Sequence, residues 1–194
     1  MSDEAADIAQ GLGDHVTVVG LSMGGVMAGW LAQFRSDVDC TVLIAPNFGT
    51  FRLPQIFLKP SINFLLLQPN RFIWWDSNKK EHLIRPPTAY FGFYTQALGE
   101  IRRLGWSVLV AGSHKGPASR KILVVTNAND HAVNKEGIEA IVKNWRNHRT
   151  ADVRQFEFHK TLKLEHDIID PQQPHQNVSM VYPKLIELIM DMEK

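Results

Sequence analysis

The chain has a single cysteine in 194 residues, Cys40, so no disulfide can form within it and a packed core must hold the fold. Cys40 opens the run Cys40-Thr41-Val42-Leu43-Ile44 and reads as a buried strand thiol. An excess of charge is missing as well. Lys and Arg number 21 against 20 Asp and Glu, for a formal net charge of +1, so no strong field recommends nucleic acid or an anionic membrane as a partner. Long hydrophobic runs are absent. Phe64-Leu65-Leu66-Leu67 and Val42-Leu43-Ile44-Ala45 fall far short of the roughly 20 residues a membrane span needs. The segment Met1-Ser2-Asp3-Glu4-Ala5-Ala6-Asp7 is acidic and lacks the basic and apolar regions of a secretory signal, which points to a cytoplasmic protein. There is no internal repeat and no low-complexity tract. No spacing of His, Cys and carboxylates suggests zinc or iron, so neither metal nor cofactor is expected.

What is present is a globular composition, 44% hydrophobic and 21% charged, with length for one domain over residues 1–194. Residues 3–11 read as a short amphipathic helix ended by Gly11 and Gly13, followed by a strand over 15–19. A helix to about Phe34 and a strand from Val38 to Ala45 follow, and two strands joined by a helix of that length imply a parallel βαβ unit. Between Asn47 and Arg120 the rhythm breaks, with aromatics scattered among Pro54, Pro60, Pro69, Pro86 and Pro87. Residues 47–120 are expected to form an inserted helical cap, with one helix from Pro87 to Leu104 and a short segment of open type at Val108-Leu109-Val110. The α/β pattern resumes with a strand at Lys121 to Thr126 and a polar loop at Asn127 to Asn134. A helix from about Lys135 to Asn147, a strand from Val153 to His159 and a helix from Val178 to Met192 complete it. The fold class is α/β: a mostly parallel sheet flanked by helices.

The motif with most chemical content is Gly20-Leu21-Ser22-Met23-Gly24-Gly25, placed directly after the β-branched run Val16-Thr17-Val18-Val19. A serine on a sharp strand-to-helix turn is held in a strained backbone with its hydroxyl clear of the sheet, and Gly20 and Gly24 are expected to leave the room that turn demands. Ser22 is thus a candidate nucleophile. A serine hydroxyl needs a base, and the base needs an acid to orient it. In an open parallel sheet both should come from loops at the carboxyl ends of strands. Asp130 follows the strand ending at Thr126, and His166 follows the strand ending near His159. The order Ser22, Asp130, His166 is the order of nucleophile, acid and base that such an elbow expects. Alone, Asp130 reads equally as a turn or helix-capping acid and His166 as a surface-loop histidine. His159 is the second choice of base. Glu165 and Asp167 flank His166, either as solvated loop charges or as groups that tune it. Nucleotide binding at the glycine-rich turn is disfavoured, because Ser22 stands where the dinucleotide fingerprint has glycine and no acid closes the next strand.

On Gly20 to Gly25, Asn129-Asp130-His131-Ala132-Val133 and Glu165-His166-Asp167-Ile168-Ile169-Asp170-Pro171, the chain resembles the α/β-hydrolase superfamily, particularly serine esterases and monoacylglycerol-lipase-like enzymes. The resemblance implies that Ser22 attacks an acyl carbon, His166 shuttles the proton and Asp130 orients His166, with the backbone N–H of Met23 giving one oxyanion hydrogen bond. It implies a small-molecule carboxylic ester as substrate, cleaved through an acyl-enzyme, and the aromatic middle favours an apolar acyl group. Amide, thioester and carbon-carbon cleavage on the same scaffold stay open. The family has several strands before the elbow strand, whereas here that strand is nearly the first element. The expectation is therefore a partial α/β-hydrolase fold corresponding to its C-terminal portion, with the second oxyanion donor missing. The elbow strand would have an open edge for a second copy or a separate chain to cover. The alternative function is a binding or interaction module that keeps the three residues without a complete oxyanion hole.

Overall fold

The alternating direction of side chains along four strands decides the layers of this molecule. A computed structural model describes residues 2–49, 55–74, 91–172 and 176–194. The elements in chain order are α1 (Ser2–Gln10), β1 (Thr17–Leu21), α2 (Met23–Phe34), β2 (Cys40–Ile44), α3 (Leu58–Leu67), β3 (Phe72–Trp74), β4 (Gly92–Tyr94), α4 (Thr95–His114), β5 (Lys121–Asn127), α5 (Lys135–His148), β6 (Asp152–Phe158) and α6 (Val178–Glu193). β1, β2, β5 and β6 form a parallel sheet in that spatial order, with Leu21 opposite Ile44, Ile44 opposite Val125, and Asn127 opposite Phe158. Leu43, Ile122 and Val124 point to one face and pack with Val26, Val108, Ile138, Ile141 and Trp145 of α2, α4 and α5. Val42, Ile44, Leu123 and Val125 point to the other and pack with Val181 and Leu185 of α6. Burial on both faces explains why β2 and β5 read as continuous apolar runs rather than as alternating ones.

The helices follow from their own patterns. In α5 the residues Ile138, Ile141, Val142 and Trp145 recur at helical spacing and are buried, while Asn134 caps the N-terminus by accepting the Glu136 N–H at 2.8 Å. Trp145 donates its ring N–H to Oε1 of buried Gln33 at 2.7 Å, and the Gln33 amide nitrogen donates to the carbonyls of Lys115 and Gly116. That network ties α2 to the end of α4 and to α5 and leaves none of its buried polar atoms unmet.

The middle of the chain differs from its sequence reading. The helix expected over Pro87 to Leu104 lies instead at α4, preceded by the short strand β4, which pairs antiparallel with β3. The helix continues through Gly105 and Gly112 to His114. A Cβ at Gly105 would stand 3.5 Å from Phe48 and Val26, and one at Gly112 would stand 2.6 Å from Ile141. Val108 and Leu109 are therefore helical and lie in the main core. Residues 75–90, including the expected helix start at Pro87, fall outside the described residues. Among the described residues β1 pairs only with β2, and Val19 on it is half exposed. No described helix is long and apolar enough to cross a membrane.

Candidate active site

The turn after β1 forces Ser22 into a backbone that L-residues avoid, with φ 54° and ψ −110°. Such a conformation costs on the order of 1–3 kcal/mol and persists only where neighbours fix it. Here they do so from both sides. The Ser22 N–H donates to the Ile44 carbonyl at 2.9 Å, and the Ser22 carbonyl accepts the N–H of Asn47 at 3.0 Å and of Val26 at 3.2 Å. The steric demand on the glycines is uneven. A Cβ at Gly20 would stand 2.1 Å from the Gly24 carbonyl oxygen and one at Gly25 would stand 2.9 Å from Cα of Pro46, whereas one at Gly24 meets nothing within 4 Å. The close approaches thus lie at Gly20 and Gly25, and Gly24 is crowded through its carbonyl rather than its α-carbon. Met23 opens α2, so its N–H has no acceptor within the helix and stands beside the serine as a free donor.

Two further strand ends bring the remaining groups to this turn. Asp130 lies after β5 and His166 in the segment after β6. Nε2 of His166 is 2.8 Å from Oγ of Ser22, and Nδ1 is 2.7 Å from Oδ2 of Asp130. The other oxygen of Asp130 accepts the Ala132 N–H at 2.8 Å, which fixes the carboxylate plane. The Asp130 side chain is 3% exposed and the His166 ring 21%. Burial works against the charged imidazole, but the hydrogen bond and charge of Asp130, with the charge of Asp167 added, outweigh it and hold the His166 pKa above its ordinary value. This arrangement suits a base that takes a proton from Ser22 and is stabilised once charged.

His159 is not in this arrangement. It caps a single 3₁₀ turn, with Nδ1 on the hydroxyl of Thr161 at 2.9 Å. Asp167 Oδ1 stands 4.0 Å from Nε2 of His166, whereas Glu165 is exposed. Buried Cys40 has its thiol pKa pushed up to about 11 by desolvation, which leaves it unreactive. Two open cavities adjoin the site. One, of about 660 Å³, runs between α2 and α4 and is lined by Met23, Met27, Ala97, Ile101 and Leu104, with the ion pair of Glu100 and Arg103 on it. The other, of about 440 Å³, is lined by Asn129, His131, Lys163, Glu165 and His166. Sequence reasoning passed over Asn127, whose buried side chain joins the loop of Asp130 to the segment of His166. An asparagine closing an apolar strand was its only outward sign.

No protein-family model matches the sequence, and no curated protein sequence matches it. Solved structures do. A monoacylglycerol lipase from Paleococcus ferrophilus superposes with a TM-score of 0.66 at 13% identity, covering 98% of this chain and 76% of that one. A soluble variant of monoglyceride lipase from Saccharomyces cerevisiae, in complex with a substrate analogue, gives a TM-score of 0.68 at 11% identity over 98% of this chain and 68% of that one. A structure from the metagenome-derived lipolytic enzymes LipS and LipT gives 0.62 at 16% identity, over 97% and 70%. At such identities the likeness is one of fold, and with the parallel sheet and its flanking helices it establishes that this chain has an α/β-hydrolase fold.

Proposed function

We propose that the protein is a serine hydrolase that cleaves a carboxylic ester through an acyl-enzyme. The observation that carries this reading is the hydrogen-bond chain from Ser22 Oγ to His166 Nε2 at 2.8 Å and from His166 Nδ1 to Asp130 at 2.7 Å. In the first half-reaction Ser22 Oγ bonds to the acyl carbon as Nε2 of His166 takes the hydroxyl proton. The N–H of Met23 donates to the developing oxyanion. Collapse of the tetrahedral intermediate breaks the bond to the alcohol, which leaves with the proton from His166. Water then attacks the acyl-enzyme, with His166 again as base, and the carboxylate is released with Ser22 restored. Asp130 keeps one imidazole tautomer and stabilises the charged ring.

The acyl chain lies in the groove of Met23, Met27, Ile101 and Leu104, whose apolar walls begin at the residue after the nucleophile. The polar cavity beside His166 suits a leaving group that carries hydroxyls. The near-neutral charge and single buried thiol suit a cytoplasmic enzyme.

The test is turnover of p-nitrophenyl esters of increasing acyl length by the purified chain. Hydrolysis that rises from acetate to octanoate and disappears in Ser22→Ala supports the reading. A folded protein without turnover of any of them, under conditions where a control esterase works, contradicts it and favours a binding module.

A further inference from the structure

The segment that carries His166 has little regular structure of its own. From the 3₁₀ turn at Lys160–Leu162 to residue 172 it runs through Lys163, whose φ of 50° breaks any helix, so the position of the imidazole must be set by contacts from elsewhere. Leu164 and Ile168 anchor it in the core on either side of His166, and one polar side chain sets its register. Asn127, the last residue of β5, is 1% exposed. Its amide nitrogen donates to the Leu164 carbonyl at 2.7 Å and to the Glu165 carbonyl at 2.8 Å, and its Oδ1 accepts the Asn129 N–H at 3.0 Å. Both amide hydrogens are engaged. The Asn127 carbonyl also accepts the Asp130 N–H at 3.1 Å. The two residues just before His166 and the two ending at Asp130 are therefore referenced to one rigid strand end.

We propose that Asn127 is a positioning residue that sets the register of His166 against Asp130 and Ser22. The proposal rests on the hydrolase reading for its consequence, though its geometry stands on its own. Asparagine fits the task by chemistry. The groups it must hold are two carbonyl oxygens, which need donors, and one N–H, which needs an acceptor, and a primary amide offers both in one plane. Aspartate has the same shape but would turn an oxygen toward two carbonyls. Slack in this latch displaces the imidazole, and displacement of a reacting group by about 1 Å costs up to about 100-fold in rate. The pH dependence follows the same geometry. His166 is faced by Asp130 from the loop after β5 and by Asp167 and Glu165 from its own segment, with His131 and Lys163 lining the adjoining cavity.

The experiment compares Asn127→Asp and Asn127→Ser with the parent chain. The readouts are the rate of inactivation by a fluorophosphonate as a function of pH, the low-field proton resonance of the His166 Nδ1–H, and folding by circular dichroism. In folded Asn127→Asp the inactivation rate should fall about 10- to 100-fold and the low-field resonance should weaken or vanish, while in Asn127→Ser, which adds no carboxylate near the imidazole, the midpoint should also move down toward the ordinary imidazole range. Asn127→Ser, which keeps one donor, should fall between the two and carries the comparison if the aspartate variant does not fold. Folded variants that react at the parent rate, with the parent midpoint and an unchanged resonance, overturn the proposal. A parent chain that the fluorophosphonate fails to label removes the hydrolase reading instead. The resonance then decides alone: its loss in the variants sustains the positioning role and its persistence ends it.

Discussion

Nε2 of His166 meets Oγ of Ser22 at 2.8 Å across a separation of 144 residues, and the same ring meets Asp130 on its far side at 2.7 Å. The contact exists because β1, β5 and β6 run parallel and deliver their following loops to one edge of the sheet.

Removal of either end of this chain should abolish turnover without unfolding the protein. For Ser22→Ala we expect kcat on a p-nitrophenyl ester to fall by about 10⁴-fold or more, and for Asp130→Asn by about 10⁴-fold through loss of the correct tautomer. Steady-state kinetics beside a thermal melt would check both. A melt that collapses in Ser22→Ala would mean that the hydroxyl is structural.

The pH profile should carry the signature of the raised His166 pKa. Only neutral imidazole can take the serine proton, so activity should fall as pH drops through a midpoint above the ordinary value of about 6.5. Asp130→Asn should move that midpoint down. Stability has the opposite sense. A group whose pKa is raised on folding stabilises the folded state fully below its unfolded value, and that contribution is lost as pH rises through the folded value. The melting midpoint of the parent, relative to His166→Gln, should therefore decline across that window. A flat difference would mean that the Asp130 contact does not favour the charged ring.

Filling the groove should separate chain lengths. Met27→Trp places a large ring between α2 and α4, where Met27 lines the apolar cavity. Octanoate hydrolysis should drop at least tenfold, with acetate changed by less than about twofold, since each buried methylene is worth about 0.8 kcal/mol. Equal losses on both esters would place the acyl chain elsewhere.

Trp145→Phe should weaken the core without touching the site. It removes the donor to Gln33 Oε1, which is buried with the rest of that side chain. An unmet buried acceptor costs about 1–3 kcal/mol, or several degrees in Tm for a domain of this size. Calorimetry that finds no change would mean that water reaches Gln33.

The elbow, the strands of the main sheet and the places of Asp130 and His166 after β5 and β6 were legible because they rest on local signals. β2 and β5 are unbroken apolar runs, Gly20 sits where a side chain has no room, and Asp130 and His166 each follow a strand in chain order. The middle was not legible. Gly112 looks like a helix breaker, but it marks where α4 presses against Ile141, a demand made by a residue distant in sequence. Asn127 was hidden for a related reason, since two of its partners are backbone carbonyls 37 and 38 positions away, and carbonyls carry no side-chain signature. Gly24 shows the converse: the motif names it, but the space around its α-carbon is open.

Mass spectrometry of the folded chain after reaction with a fluorophosphonate tests the proposed chemistry most directly. The mechanism requires one covalent adduct, on Ser22, formed at pH 8 and lost in His166→Ala. An intact, folded protein that stays unmodified, or that carries the adduct on another residue, would contradict it.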